Sequence, residues 1–235
     1  MPEFFRFPQT PHLAWLGPGT PRDDKLLSPV EVTRLLAGEV VVEEKLDGAN
    51  LGFSLARDGS LRVQNRGQYL HQPHVGQFAR LPDWLALHGS VLQNALTQHT
   101  DRGLMLFGEW CAARHSLDYT ALPDWFLLFD VYERRSGRFW SSARRNALAT
   151  GLGLATVPQV TQGHCTLAGL ITILDTQSSR YRPGVLEGLV VRRDDVRWCQ
   201  ERAKLVRADF TQAIEGHWRQ RAMEWNRMDW GAQQR

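Results

Sequence analysis

A chain of 235 residues with 43% hydrophobic and 23% charged side chains lies near the globular average, which excludes a disordered, collagen-like or coiled-coil protein; one body of that length buries about 70–75% of the surface its unfolded chain exposes. Three widely spaced cysteines, Cys111, Cys165 and Cys199, exclude a disulfide framework, and no apolar run approaches the roughly 20 residues of a membrane span. The net charge of +3 permits an anionic partner without demanding one, and the heavy use of arginine matters more, because a guanidinium grips phosphate in a planar fork.

Residues 1–38 open with Pro8, Pro11, Gly17-Pro18-Gly19 and Pro21 and read as an irregular lead-in. Ser28-Pro29 starts, and Gly38 stops, a short helix over about 28–37. Val40-Val41-Val42 is a β-branched strand running into Glu43-Glu44-Lys45. Leu51–Leu55 and Leu61–Val63 form a hairpin across Asp58-Gly59. The stretch 75–99 reads as helix with a break near Gly89, followed by strands over 103–110 and 125–132. Helices are expected at about 142–151 and 166–174, strands at 189–191 and 204–206, and an amphipathic helix from Phe210 to Trp225. Strands and helices without a regular alternating beat predict an α+β fold with largely antiparallel sheets. One domain is expected over 1–235, with 1–38 as lead-in and 208–235 as a helical tail. The N-terminus, Met1-Pro2-Glu3-Phe4-Phe5-Arg6, has neither the basic start nor the apolar stretch of a signal peptide, so a cytoplasmic protein with no membrane partner is expected.

The chemistry concentrates in six short segments. Glu43-Glu44-Lys45-Leu46-Asp47-Gly48-Ala49-Asn50 places a lysine at a strand end before an acid, a glycine and an asparagine. Gln64-Asn65-Arg66-Gly67, Leu106-Phe107-Gly108-Glu109-Trp110 and Phe126–Tyr132 follow, then Glu187-Gly188-Leu189-Val190-Val191-Arg192 and Arg202-Ala203-Lys204-Leu205-Val206-Arg207. In this order they resemble the motifs of the covalent nucleotidyltransferases, the ATP-dependent polynucleotide ligases and mRNA capping enzymes. Asn50, five residues after the lysine, makes the pattern most similar to the RNA ligase branch.

The resemblance implies a nucleotidyltransferase (ATP-grasp-like) core of two mainly antiparallel sheets flanked by helices, with no OB-fold. It implies an ATP-dependent RNA ligase using ATP and Mg²⁺ or Mn²⁺. Lys45 would attack the α-phosphorus of ATP, carry AMP, and pass it to a 5′-phosphate end before a 3′-hydroxyl seals the strand. It assigns Lys45, Lys204 and Glu187 to catalysis. Glu44 would line the adenine pocket, Arg66 and Glu109 would hold the ribose, and Phe129 would stack on adenine. Glu187 and Glu109 would face the metal, and Lys204 the α-phosphate. Asn50, Arg192 and Arg207 are candidates for nucleic-acid contact. The last motif ordinarily carries Lys-x-Lys; here Arg202 or Arg207 stands in, and the two-residue spacing of Arg202, which keeps one face of a strand, favours it.

From elementary chemistry, only about one lysine in 2,500 is neutral at pH 7. A cationic, desolvated surrounding from Lys204, Arg202, Arg207 and a bound divalent metal is therefore expected to lower the pKa of Lys45. RNA ends bearing 5′-phosphate and 3′-hydroxyl, with DNA or hybrid ends as an open alternative, would be the partners, with a kinase or phosphatase in trans to prepare them. A DNA ligase core, a GTP-dependent guanylyltransferase and a non-catalytic nucleotide or RNA-end sensor are the alternatives.

Other signals are weaker. His71 and His74 flank Pro73 and lack the four ligands of a zinc site. Cys111 and His115 beside Glu109 read as core and loop, and 115–119 as a wall of the nucleotide site. Arg134-Arg135, Arg144-Arg145 and Arg192-Arg193 read as solvated faces that could meet a nucleic-acid backbone. Trp218, Trp225 and Trp230, among Arg219, Arg221 and Arg227, read as a packed helix face.

Overall fold

The computed structural model describes residues 4–19, 25–213 and 223–229. Ser28 caps α1 (Pro29–Leu36) in a reciprocal capping box with Glu31, and Pro29 supplies the fixed φ of a first turn. The chain then enters β1 (Glu39–Lys45), crosses over to β2 (Ala49–Leu55), and turns at Asp58-Gly59 into β3 (Leu61–Gln64). After α2 (Leu81–Gln98) come β4 (Leu104–Trp110), β5 (Phe126–Glu133), β6 (Arg138–Phe139) and α3 (Ser142–Leu152). The rest is β7 (Ala155–Thr156), β8 (Gln159–His164), α4 (Leu167–Thr176), β9 (Gly188–Asp194), β10 (Cys199–Val206) and α5 (Ala208–Ala213).

Two sheets result, and the expected α+β architecture with antiparallel pairing is what the chain forms. One sheet has the order β10-β9-β1-β8; the other runs β3-β2-β4-β5-β6, with β7 parallel to β5. A core of Leu35, Leu170 and Leu174 against Val40, Val42 and Leu189 packs α1 and α4 onto the first sheet. Leu81, Trp84 and Leu92 against Phe53, Leu106 and Phe126 pack α2 onto the second. The helices thus take the outer faces, and the segment 46–48 carries the chain from one sheet to the other directly after Lys45.

Three expectations are corrected. The helix expected over 75–99 is a 3₁₀ turn at Gly76–Phe78 followed by α2, which runs unbroken through Gly89. Strand β8 has no apolar alternation and went unseen; it forms by pairing with β1, Val41 opposite Gln162. Residues 223–229 are not helical: their backbone bonds go to the 112–122 loop, with Trp225 bridged to Ala113 and Met228 to Leu122. Residues 214–222, with Trp218, Arg219 and Arg221, and Trp230 lie outside the described residues.

Candidate active site

Between the sheets lies a cleft of about 330 Å³, within the size range of small-ligand sites. Lys45 enters it from the end of β1. Its neighbour in the ladder is Gly188, and a side chain at that position would meet the Leu205 carbonyl at 2.7 Å and the Lys45 stem at 3.3 Å. Glycine is therefore the residue that lets Lys45 lie flat across β9. Gly48 serves the crossing in the same way: a Cβ there would meet the Trp110 carbonyl at 2.5 Å. The Gly48 N–H donates to Glu109 Oε1 at 3.0 Å, tying the turn to β4.

Asp47, between them, is a loop anchor. Its Oδ2 accepts the backbone N–H of Ser116 at 2.7 Å and of Leu117 at 2.9 Å, and its own N–H donates to the Tyr119 hydroxyl at 2.8 Å. The 115–119 segment is thereby tied to the turn after the lysine, but none of its residues lines the cleft, so the expected wall of the nucleotide site is not formed by it.

Electrostatics around Lys45 reverse the sequence expectation. Its Nζ lies 2.5 Å from Glu187 Oε1, with Glu109 and Asp47 also acting on it. Burial alone would lower its pKa, but these carboxylates outweigh burial and raise it above the ordinary lysine value. Of the expected cations, Lys204 and Arg202 share the cleft but the carboxylates outweigh them at Nζ, and Arg207 turns away, pairing with Asp175 and Asp209. The acids respond in kind. Burial pushes the Glu109 carboxyl up to about 8, against the pull of Lys45, and burial raises Glu187 likewise.

Around this centre stand Glu44, Asn50, Arg66, Phe129, Arg202 and Lys204, all lining the cleft. Glu44 points off the opposite face of β1, where its carboxylate accepts the Ser179 hydroxyl at 2.5 Å and the Arg180 N–H at 3.0 Å. Asn50 pairs with Glu109 across β2 and β4, and its buried Oδ1 has no hydrogen-bond partner. Of the two arginines considered for the last motif, Arg202 shares the cleft with Lys204 and Arg207 does not. The two-residue spacing on β10 is the reason.

Arg192 is corrected outright. It is 1% exposed and donates to Asp130 Oδ1 at 2.6 Å, to the Phe129 carbonyl at 3.2 Å and to the Trp140 carbonyl at 3.0 Å, so no nucleic-acid backbone reaches it. Arg145 is equally buried, on Glu43 Oε1 at 2.5 Å and the Phe129 carbonyl at 2.6 Å. With Arg202 3.3 Å from Asp130 Oδ2, these groups form an ionic seam joining the sheets beneath the cleft.

The sequence reading missed the lead-in's part in the site. Phe7, Pro8, Gln9 and Thr10 line the cleft, and Lys204 N–H donates to the Pro11 carbonyl at 2.8 Å. Phe7 packs edge-on to Phe129 and under the Arg202 guanidinium. The aromatic pattern Phe4-Phe5-Arg6-Phe7 in a Pro-rich stretch was the available signal.

The model of the RNA ligase family matches residues 38–206. The chain belongs to the RNA ligase family. No curated protein sequence matches it. Among solved structures it is similar to a Naegleria gruberi RNA ligase with PPi, at 21% identity and TM-score 0.61, covering 78% of this chain and 54% of that one. A lysine-to-alanine mutant of the same ligase with ATP and Mn superposes at 17% identity and TM-score 0.65, covering 91% of this chain and 59% of that one. An apo mutant gives TM-score 0.63. The chain therefore spans a little over half the length of these RNA ligases, with which it shares the fold.

RNA ligase family membership raises the matter of a divalent metal. Among the described residues no group of three or more His, Cys, Asp or Glu is placed to hold one. The pair Glu109 and Glu187 nonetheless fits Mg²⁺ or Mn²⁺ as partial ligands, since such ions keep several waters and substrate oxygens. Glu187 Oε2 is buried without a hydrogen-bond partner, and burial holds the Glu109 carboxyl up; both conditions are relieved by a cation.

Proposed function

We propose that this protein is an ATP-dependent RNA ligase working through a lysyl-AMP intermediate on Lys45. The observation that carries the reading is the half-buried contact of Lys45 Nζ with Glu187 in a cleft lined from both sheets by Glu44, Asn50, Arg66, Glu109, Phe129, Arg202 and Lys204. Lys45 attacks the α-phosphorus of ATP; the N–P bond forms, the bond to pyrophosphate breaks, and the lysine proton departs along its contact with Glu187 Oε1. Lys204 and Arg202 bear on the phosphate oxygens and stabilise the charge that gathers there. Phe129 offers its ring to the adenine, Glu44 its pocket wall, and Arg66 and Glu109 the ribose hydroxyls. A divalent cation at Glu109 and Glu187 would supply positive charge to the phosphates and compete with Lys45 for its carboxylates.

The same proposal includes transfer of AMP to a 5′-phosphate RNA end and sealing by a 3′-hydroxyl, on an ATP-grasp-like core. It extends to RNA repair in a cytoplasmic setting, with end-preparing kinase or phosphatase activity in trans. Incubation with ATP, Mg²⁺ or Mn²⁺ and a 5′-labelled, 5′-phosphorylated RNA tests it. The expected products are an AMP-capped strand and a joined strand, both lost in Lys45→Ala. Neither product from wild-type protein, across nicked, hairpin and single-stranded substrates, contradicts it.

A further inference from the structure

Away from the nucleotide cleft, a second cluster of cations gathers on the β9–β10 hairpin. Trp198 is bridged to Trp140 and half-buried there. Three guanidinium groups surround its ring, Arg138 at 5.0 Å, Arg144 at 5.2 Å and Arg197 at 5.8 Å from the centroid. Arg144 also lies 3.5 Å over the Trp140 ring. A fourth cation, Arg102, acts on Arg144 together with Arg197, so that burial and like charge lower its pKa against the pull of Glu133.

Three carboxylates, Glu133, Asp194 and Asp195, stand among these four arginines, and Asp195 acts on Arg138. Glu133 is 3.6 Å from Arg144. Asp195 spends Oδ1 on the N–H groups of Arg197 and Trp198, and Asp194 caps the Ser142 N–H. Arg138 donates to neutral Gln200. Arg144 Nη1 is buried with no hydrogen-bond partner. The first turn of α3, which opens here, carries no acidic residue of its own. Val196, 91% exposed, sits at the hairpin tip beside Trp198.

The placement connects this cluster to the cleft. Gln200 and Arg202 on β10 reach β6 and β5 of the facing sheet, and Lys204 lines the cleft. Trp198 lies six residues up the chain from Lys204, about 20 Å along a strand. A basic edge with an aromatic platform, running out of a nucleotide cleft, has the two elements by which proteins hold single strands: cations for phosphates and a ring for a base.

We infer that Trp198 with Arg138, Arg144 and Arg197 is a docking site for single-stranded RNA, gripping phosphodiesters and stacking one base as the strand approaches Lys45. The inference rests on the ligase reading for the choice of RNA as the anion. Arg138 and Arg197 take phosphates, Trp198 takes the base, and Arg144, held between two indoles, fixes the platform.

Binding of a short fluorescent 5′-phosphorylated single-stranded RNA, followed by anisotropy across a salt series, tests this. Arg138→Glu/Arg197→Glu is expected to weaken binding at least tenfold and to flatten the slope of log K against log salt by about 1.4, two contacts at about 0.7 each. Trp198→Ala weakens binding by about tenfold, the scale of one base stack, while Arg138→Lys/Arg197→Lys keeps the wild-type slope. Arg197 is exposed, so Arg197→Glu alone carries the test, with a slope loss of about 0.7, should the double variant not fold. Unchanged affinity and slope in these variants, or no RNA binding by wild-type protein, overturns the inference. Self-adenylylation separates the two readings. A protein that labels itself from ATP while the variants bind RNA like wild type leaves the ligase reading standing and this one fallen. A protein that never labels itself but loses RNA in the variants does the opposite.

Discussion

With Glu187 Oε1 2.5 Å from its Nζ, and Glu109 and Asp47 acting on it from nearby, Lys45 rests as a cation. In the proposed reaction, activation of Lys45 consists of drawing these carboxylates away, whereas the sequence suggested a pKa lowered by side-chain cations and a bound metal. Glu109 registers this state in stability. Its carboxyl stands at about 8 in the folded protein against 4.5 ordinarily. Between these values the folded chain keeps a proton that the unfolded chain has released, so stability falls as pH rises through that window. The expected outcome, in chelator and without nucleotide, is a melting temperature that declines from about pH 5 to pH 8 and declines less in Glu109→Gln. Parallel profiles for the two proteins would contradict it. Lys45, Glu109, Glu187 and Lys204 were legible because each sits in a short motif with fixed neighbours. Arg192 was misread because a guanidinium's burial depends on Asp130 and Glu43, both remote in sequence, and no local pattern reveals such partners.

Among the elements, the loop after β4 depends on a segment more than 100 residues later. Asn226 is buried; its Nδ2 donates to the Cys111 carbonyl at 2.8 Å and its Oδ1 accepts the Tyr119 N–H at 2.9 Å. Tyr119 in turn accepts the Asp47 N–H, two residues past Lys45. Arg80, stacked between Trp125 and Trp225, adds a second fastening at 5.0 and 4.3 Å. Removing the amide leaves buried backbone groups unpaired, at a cost of about 1–3 kcal/mol. Asn226→Ala is therefore expected to lower stability by that amount and to speed amide hydrogen exchange at Ser116 and Leu117. Exchange at wild-type rates there would sever the proposed link. The helices with caps and periodic faces, α1, α3 and α4, were readable to within two residues of their ends. Strand β8 and the 223–229 segment were not, since their structure comes from partners and not from their own composition.

At the scale of the whole molecule, two sheets with separate helix-backed cores are held face to face by an ionic seam. Glu43 of β1, Arg192 of β9, Asp130 of β5 and Arg145 of α3 are each no more than 2% exposed, and Arg145 and Arg192 both donate to the Phe129 carbonyl. Buried pairs add little net stability once desolvation is counted, yet breaking one strands a charge and costs about 3–5 kcal/mol. Arg145→Met should fall in that range by denaturant unfolding; a loss under about 1 kcal/mol would show that the seam is dispensable. Because the Phe129 carbonyl is fixed by both arginines, the seam also sets the floor of the nucleotide cleft. With Arg202 of β10 its members lie in five elements, which is why antiparallel sheets could be anticipated from the sequence while their mutual docking could not.

The central claim is that Lys45 becomes covalently bound to AMP. The most direct measurement is the intact mass of the protein after incubation with ATP and Mg²⁺ or Mn²⁺, with the modified peptide sequenced. The account predicts a gain of one AMP on Lys45, reversed by pyrophosphate, absent from GTP and absent in Lys45→Ala. A wild-type protein that gains no AMP, and carries none removable by pyrophosphate, would contradict it, and a gain of GMP from GTP would replace the RNA ligase reading with a guanylyltransferase.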